Sequence, residues 1–483
     1  MDTVILGNGI VALATAFGLA GRSQAKDRIT IVGKKDRVGS ATLAAAAMLN
    51  SFTEIESGSL DAPVDLCRFE LGRLAAGMWP KFERELIEAS KACSSKGPKT
   101  NAGLPAGPFV EAGTYVINNT AADDLDDENY DAIVKALERF GEPFQHVSPR
   151  DIPNYMPEQR HRATRALLIA NEGYLNPRVL IGLLDSILCN HPQVRFVEGN
   201  AERLTKTNSG ISGVVLENGE VVAGDQFVLA TGATVSDLLG KSGLGIDVQR
   251  VFYGVGVSVE IQSPEFPHTK CIRTPNRGLA CGVYSAPYLA SPGIPSDHIL
   301  LGASNFISPT PHFFGRITSI ESLLKAGIEQ INSNFYRADL IRVNVGWRPT
   351  SQDTYPLIGK TSIANLVIAS GTKRDGILMA PLLSKTIVAL LHGEPVDKRF
   401  ASFAPERKPI RSLTRAKAIE KSVRHLMSAS YQHGFTPPKS RMVEQVRQMH
   451  RDTLERLHDQ VGAHDWGIPS EMLDMYRHGH AVP

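Results

Sequence analysis

Two glycine-bearing segments place backbone amides where they could handle a negatively charged group. The first, Val4-Ile5-Leu6-Gly7-Asn8-Gly9-Ile10-Val11-Ala12, is an apolar run that enters a tight turn and continues as the helix-like Leu13-Ala14-Thr15-Ala16-Phe17-Gly18-Leu19-Ala20. Such a turn leaves N–H groups and a helix N-terminus facing an anion, which is how dinucleotide pyrophosphates are held. The pattern is Gly-x-Gly-x-x-Ala, and alanine is small enough for the third position, where helix meets strand. The second segment, Ser370-Gly371-Thr372-Lys373-Arg374-Asp375-Gly376-Ile377, lies between the apolar strand Leu366-Val367-Ile368-Ala369 and a helix over 378–391, and its turn could serve another electron-rich group.

The elements around the first turn form a compact βαβ pattern, because the apolar strand Arg28-Ile29-Thr30-Ile31-Val32 follows the helix at the required distance. An acidic residue about 20 positions beyond the loop normally meets the ribose hydroxyls. Here the chain reads Gly33-Lys34-Lys35-Asp36. Three arrangements stay open: Asp36 reaches back, backbone and water hold the ribose, or the lysines meet a phosphate.

Next, Gly39-Ser40-Ala41-Thr42 leads into Leu43-Ala44-Ala45-Ala46-Ala47-Met48-Leu49, where small side chains either admit a flat ring close to the backbone or pack as an alanine-rich helix. Helical periodicity covers 65–91 and 123–140, and the Gly, Pro, Ser and Lys content of 94–108 predicts an exposed loop. Pro177 after Asn176 predicts a helix start, and the helix runs to Leu188. Short strands follow at 194–197, 213–216 and 221–222, with a hairpin signal in Glu217-Asn218-Gly219-Glu220. The strand Gln226-Phe227-Val228-Leu229 ends in Ala230-Thr231-Gly232-Ala233, backbone suited to a ligand at a strand C-terminus. Clean alternation in Tyr253–Glu260 marks a second, β-dominated domain. The stretch Asn344 to Gly359 adds two aromatics, Arg348 before a proline, and an acidic turn.

From about residue 405 the chain turns helical, with Val443, Val446, Leu454, Leu457 and Val461 on one amphipathic face. Seven of the fourteen histidines fall here, and none pair at the i, i+4 spacing of a helical metal site, so solvated surface or partner packing is the expected role.

The 52 basic and 50 acidic residues leave a net charge of +2, which recommends neither nucleic acid nor an anionic membrane as partner. Five scattered cysteines, never in a Cys-x-x-Cys arrangement, read as reduced thiols. The first apolar run contains turn glycines, unlike a signal peptide, and no stretch approaches the roughly 20 apolar residues of a spanning helix. A soluble cytoplasmic protein is expected, with no membrane partner.

The order of these motifs is more specific than any one of them. Gly7-Asn8-Gly9-Ile10-Val11-Ala12, the 40–49 segment, Gly173-Tyr174-Leu175-Asn176-Pro177-Arg178, Val228-Leu229-Ala230-Thr231-Gly232-Ala233, Gly346-Trp347-Arg348-Pro349 with Pro356-Leu357-Ile358-Gly359, and 371–381 occur in succession. That succession resembles the D-amino-acid oxidase family of FAD-dependent enzymes, most closely its glycine oxidase branch, over about residues 1–405.

The resemblance implies an α/β (α+β) fold: a Rossmann-like FAD-binding domain from 1–85, 160–240 and 335–404, intertwined with an antiparallel β-sheet substrate domain from 86–159 and 241–334, plus a helical extension over 405–483. It implies noncovalent FAD held by Gly7, Asn8, Gly9, Ile10, Val11, Lys34, Ser40, Ala41, Thr42, Ala46, Ala47, Glu202, Thr231, Gly232, Arg348, Asp375, Gly376, Ile377 and Leu378. In such enzymes a substrate carboxylate anchored by a forked guanidinium aims the α-hydrogen at the flavin. The resemblance carries that role to Arg348, a second substrate-side arginine to Arg374, a carboxylate-binding tyrosine to Tyr284, and a flavin-side methionine to Met48.

The implied reaction is oxidation of glycine, a D-amino acid or an amino-acid-derived amine to an imine, with O2 as electron acceptor, H2O2 as product and a homo-oligomer as the working form. Relatives with a covalently attached flavin use a cysteine in the C-terminal half, and none lies beyond Cys281. Alternatives are oxidation of an aminoacetyl group on tRNA and a degenerate flavin-binding scaffold. Departures from the family pattern are Gly33 in place of the ribose acid, Ala47 in place of glycine, and Gly282 at the position of a roof-domain histidine, which together imply a roomier or differently polar pocket. The extension is longer than the family core needs and is free to cover the site, mediate assembly or dock a partner.

Overall fold

Asp2–Leu6 sits inside a six-stranded sheet, and its apolar run is buried on both faces, as an inner parallel strand requires. The spatial order is Leu357–Lys360, Leu366–Ser370, Gln226–Leu229, Asp2–Leu6, Arg28–Val32, Val194–Val197. All pairs are parallel except the edge strand Leu357–Lys360. This computed structural model describes the chain apart from residues 25, 95–104, 106, 120, 289–291 and 436–439, so the loop expected over 94–108 lies largely outside the described residues.

The two faces of the sheet bury different partners. Ile5, Ile29, Ile31 and Val228 pack with helices Ile10–Ala20, Pro63–Ser94, Pro177–Cys189 and Ala380–Leu391. Val4, Leu6, Val32 and Leu229 pack instead against a three-stranded sheet of Ala201–Thr207, Gly210–Leu216 and Val221–Ala223. The last two of these strands form the hairpin expected from Asn218-Gly219: Val215 lies opposite Val221, and Gly219 takes φ +85° in the turn.

A second sheet of nine strands carries the β-dominated part. Its longest pairing sets Val251–Gln262 antiparallel to Asp339–Ser351. The sheet is mixed rather than wholly antiparallel, since Cys271–Arg273 pairs parallel with Val110–Asn118. Arg165–Leu175 and Asp339–Ser351, which sequence allotted to the dinucleotide unit, are hydrogen-bonded into this second sheet. Each then runs straight into the first unit, so the two sheets share chain at the positions where a ligand between them would be gripped.

The small-residue segment 43–49 is not a helix. It is a turn-rich crossing between the sheets, tied by Leu49 N–H to Gly173 O at 2.7 Å and Leu175 N–H to Ala47 O at 3.2 Å, with bridges from Ser40 to Trp347 and Met48 to Tyr174. The extension forms helices Arg415–Gln432, Ser440–Val461 and Leu473–Arg477. Leu454 and Leu457 are buried with Phe252 of the second sheet, and Val443, Val446 and Val461 pack around them, so the amphipathic face is an internal one. No helix among the described residues is long and apolar enough to cross a membrane.

Candidate cofactor and substrate site

The glycine turn is shaped by what lies behind it. Gly7 has φ +110°, and a Cβ there would sit 2.3 Å from Ala230 O of the neighbouring strand, so no side chain fits. Gly9 begins the Ile10–Ala20 helix with no side-chain cap and no acidic residue in the first turn. Ile10 N–H donates to Thr42 Oγ1 at 3.3 Å, while the buried Thr231 Oγ1 has no partner among the described residues. The helix N-terminus therefore keeps donors and dipole available to an anion.

Gly33 has an equally physical cause. A Cβ at this position would meet the Asn8 side chain at 2.6 Å, and Asn8 Nδ2 donates to Lys34 O at 2.7 Å, so Asn8 occupies the space an acidic side chain would need. Lys34 is not a free phosphate ligand: its ammonium pairs with Glu217 at 3.3 Å. Asn200 Nδ2 also lies 3.2 Å from both Glu217 oxygens, and hydrogen bonding from Asn200 is the main cause that lowers the Glu217 carboxyl below its ordinary range. Asp36, Asn200 and Glu217 all line the cavity beside Gly33.

That cavity, of about 710 Å³, runs between the sheets. It is lined by Gly7, Asn8, Gly9, Ile10, Val11, Lys34, Ser40, Ala41, Thr42, Ala46, Ala47, Met48, Thr231, Gly232, Tyr284, Arg348, Arg374, Asp375, Gly376, Ile377 and Leu378. Glu202 is the exception: it is exposed on its strand, and its neighbour Ala201 lines the cavity instead, because successive strand side chains face opposite ways. Of the seven non-glycine residues with positive φ among the described residues, four, namely Arg37, Ala47, Cys281 and Lys373, lie on the cavity wall, which places backbone strain where a ligand would sit.

Far from the glycine turn, two arginines differ in a decisive way. Arg348 lies over Gly256, where a Cβ would come within 2.3 Å of its Nη2. Its Nη1 donates to Asn305 Oδ1 at 2.9 Å and its Nη2 to Ser304 O at 3.0 Å, both neutral acceptors. Among the described residues it has no carboxylate partner. Arg374, by contrast, reaches Glu54 at 3.3 Å, Glu471 at 3.7 Å and Cys281 Sγ at 2.8 Å.

Burial pushes the Tyr284 hydroxyl up to about 12, against the opposing influence of Arg348, so it is a neutral donor at ordinary pH. Burial alone would also raise Glu54, but the guanidinium groups of Arg273 and Arg374 outweigh it and hold the carboxyl low. Met48 Sδ sits 3.6 Å from Cys271 Sγ on the same wall. Gly282 does not line the cavity; the residue that does is Cys281, so the expected extra room is partly filled by a thiol held against Arg374.

Residues 2–390 match the family described as DAO, FAD dependent oxidoreductase. The chain belongs to this family of FAD-dependent oxidoreductases. Its relatives include glycine oxidase of Pseudomonas putida, 25% identical over 415 residues, which covers 84% of this chain and 98% of that one. Another is the tRNA 5-methylaminomethyl-2-thiouridine biosynthesis bifunctional protein MnmC of Idiomarina loihiensis, 26% identical over 249 residues, 48% of this chain and 35% of that one. The fold is shared with glycine oxidase from Geobacillus kaustophilus (TM-score 0.68, 21% identity, 84% of this chain and 98% of that chain). It is also shared with iminodiacetate oxidase from Chelativorans sp. BNC1 (TM-score 0.65, 18% identity, 84% and 100%).

As a DAO-family protein the chain uses FAD, and the residues present fit it. The side-chain-free cradle at Gly7, the uncapped helix end and the unpartnered Thr231 hydroxyl suit a pyrophosphate, and the small residues of 40–47 leave width for a ring. Sequence reasoning missed Asn50, Glu54, Arg273, Cys281 and Glu217 on the walls of this site. Glu217 sat in a hairpin turn read only as a turn. Arg273 and Glu54, ion-paired at 2.7 Å, lie 219 residues apart, and no local pattern could join them.

Proposed function

We propose that the protein oxidises the amine of glycine, a D-amino acid or an amino-acid-derived amine to the imine, using O2 and releasing H2O2. The observation that carries this reading is Arg348: a guanidinium on the cavity wall, bonded among the described residues to neutral oxygens alone, beside a neutral tyrosine hydroxyl. A guanidinium held this way has its charge uncompensated and matches a carboxylate in charge and shape. Arg348 binds the substrate carboxylate, Tyr284 donates a hydrogen bond to it, and together they fix the Cα–H direction. Met48, packed against the same apolar cluster as Tyr284, and Ala47 line the cavity beside them. Bound FAD supplies the hydride acceptor.

At the other end of the cavity Glu217 takes the ribose-binding role that Gly33 cannot perform, with Lys34 and Asn200 holding its carboxylate in place. Arg374 is a positioning residue here, since its charge is already met by Glu54 and Glu471.

Anaerobic mixing of the yellow protein with a panel of carboxylate-bearing amines tests the reading, followed by loss of the flavin band near about 450 nm. Bleaching by glycine or a D-amino acid is expected, and failure of the whole panel overturns the reading. The match to MnmC favours a second reading, oxidation of an aminoacetyl group on tRNA; salt-sensitive retention of tRNA by the purified protein would support it.

A further inference from the structure

The substrate end of the cavity does not close at Arg374. Asn50, Glu54, Lys373, Arg374, Asp375 and Leu378 line both it and a second cavity of about 670 Å³. Part of the wall of the second cavity comes from the C-terminal extension, including Lys417, Lys421, Ser470 and Glu471. The extension is therefore part of the wall around the site.

The charges in this second chamber are largely matched within the protein. Lys421 pairs with Glu56 at 2.7 Å, Lys373 with Glu471 at 2.9 Å, and Arg68 with Asp375 at 3.8 Å. A simple ion would find little to recognise. Asn50 differs. It is 4% exposed, and among the described residues neither its Oδ1 nor its Nδ2 has a partner. A buried carboxamide with donor and acceptor both unmet carries a desolvation cost that a ligand can remove. Its complement is a group with one acceptor and one donor side by side, that is, another amide. Beside Lys373 and Arg374, Glu471 Oε2 is also unpartnered among the described residues and can accept from an N–H.

We propose that the substrate is a carboxylate-bearing amine with an amide-containing arm, whose amide is read by Asn50 as the arm passes into the chamber built by the extension. This rests on the amine-oxidising reading above. Arg348, which takes the carboxylate, and Asn50, which takes the amide, line one cavity together with Cys281 and Arg374.

The test uses the holoenzyme and compares anaerobic bleaching by glycine, N-butylglycine and N-(2-carbamoylethyl)glycine. The last two have arms of similar length that differ in the amide. The expected kcat/KM ratio of amide arm to alkyl arm is about tenfold, the value of one good hydrogen-bonded contact. That ratio falls toward one in Asn50→Leu, which keeps the branched shape and loses the amide, and the amide-armed substrate also slows in Lys417→Trp, which fills the chamber from the extension. Equal rates for the two arms in the unaltered protein, alongside bleaching by glycine, overturn the amide-arm proposal and leave the amine-oxidising reading intact. No bleaching by any amine overturns both. Unaltered flavin absorbance in each variant shows that it has folded.

Discussion

Arg348 and Arg374 are the same residue type lining the same cavity, yet among the described residues Arg374 is paired with carboxylates and Arg348 with neutral oxygens. Arg348→Ala should lower kcat/KM for carboxylate-bearing amines by roughly a hundredfold, about 3 kcal/mol, while FAD stays bound. Arg348→Lys should recover only part of the loss, because an ammonium lacks the forked geometry; steady-state kinetics with a flavin-content check reads both. Ala47, buried at φ +50°, holds a conformation that alanine pays for in Cβ crowding. Ala47→Gly should raise the unfolding free energy by up to about 1 kcal/mol, measured by denaturant unfolding, since relief of that crowding exceeds the added flexibility of the unfolded chain.

At the scale of elements, the crossing segment 43–52 is fixed to the strand Arg165–Leu175 partly through one carboxyl. Glu172 Oε1 accepts from Ser51 N–H at 2.5 Å and from Phe52 N–H, and burial raises its pKa from 4.5 to about 7 despite these bonds. The folded state thus holds this proton more tightly than the unfolded chain does. The stabilisation from protonation is full below about pH 4.5 and is lost as pH rises to about 7. Glu172→Gln, neutral throughout, should be the more stable protein at pH 8 by roughly 3 kcal/mol and should show little difference at pH 4, as read from denaturant midpoints. The hairpin that carries Glu217 makes a separate prediction. Glu217→Gln should weaken FAD binding by the apoprotein about tenfold without altering the fold, as titrated by flavin fluorescence.

For the whole molecule, the extension is docked by charge as well as by the cluster around Phe252. Glu471 is largely shielded from solvent, which alone would raise its pKa, but Lys373 and then Arg374 bring it down to about 2. Its contribution to stability is present above about pH 4.5 and is lost as the pH falls toward 2. Glu471→Gln leaves Lys373 and Arg374 short of a buried counter-charge and should loosen the extension by about 3 kcal/mol. Hydrogen exchange should then rise in Arg415–Gln432 and Leu473–Arg477 while the six-stranded sheet keeps its protection.

Local patterns were enough for the strand-turn-helix at Gly7, the hairpin at Asn218-Gly219, the helix opened by Pro177 and the apolar face of the extension. In each case the physics acts within a few residues: backbone periodicity, turn chemistry and capping. Those patterns also offered Gly7 and Thr231 as ligand-facing backbone, whereas Tyr284 and Arg348 were brought to the same site by the family resemblance alone. Local patterns could not decide which side chains would meet across long loops. Asn8 filling the space beside Gly33, Glu217 approaching Lys34 from a hairpin, Glu54 compensating Arg273 and Arg374, and Asn50 left without a partner at the neck of two chambers are all contacts between distant parts of the chain. Residue type gave the charge of each arginine, and the packing of the two sheets and the extension decided which charge was left for a ligand.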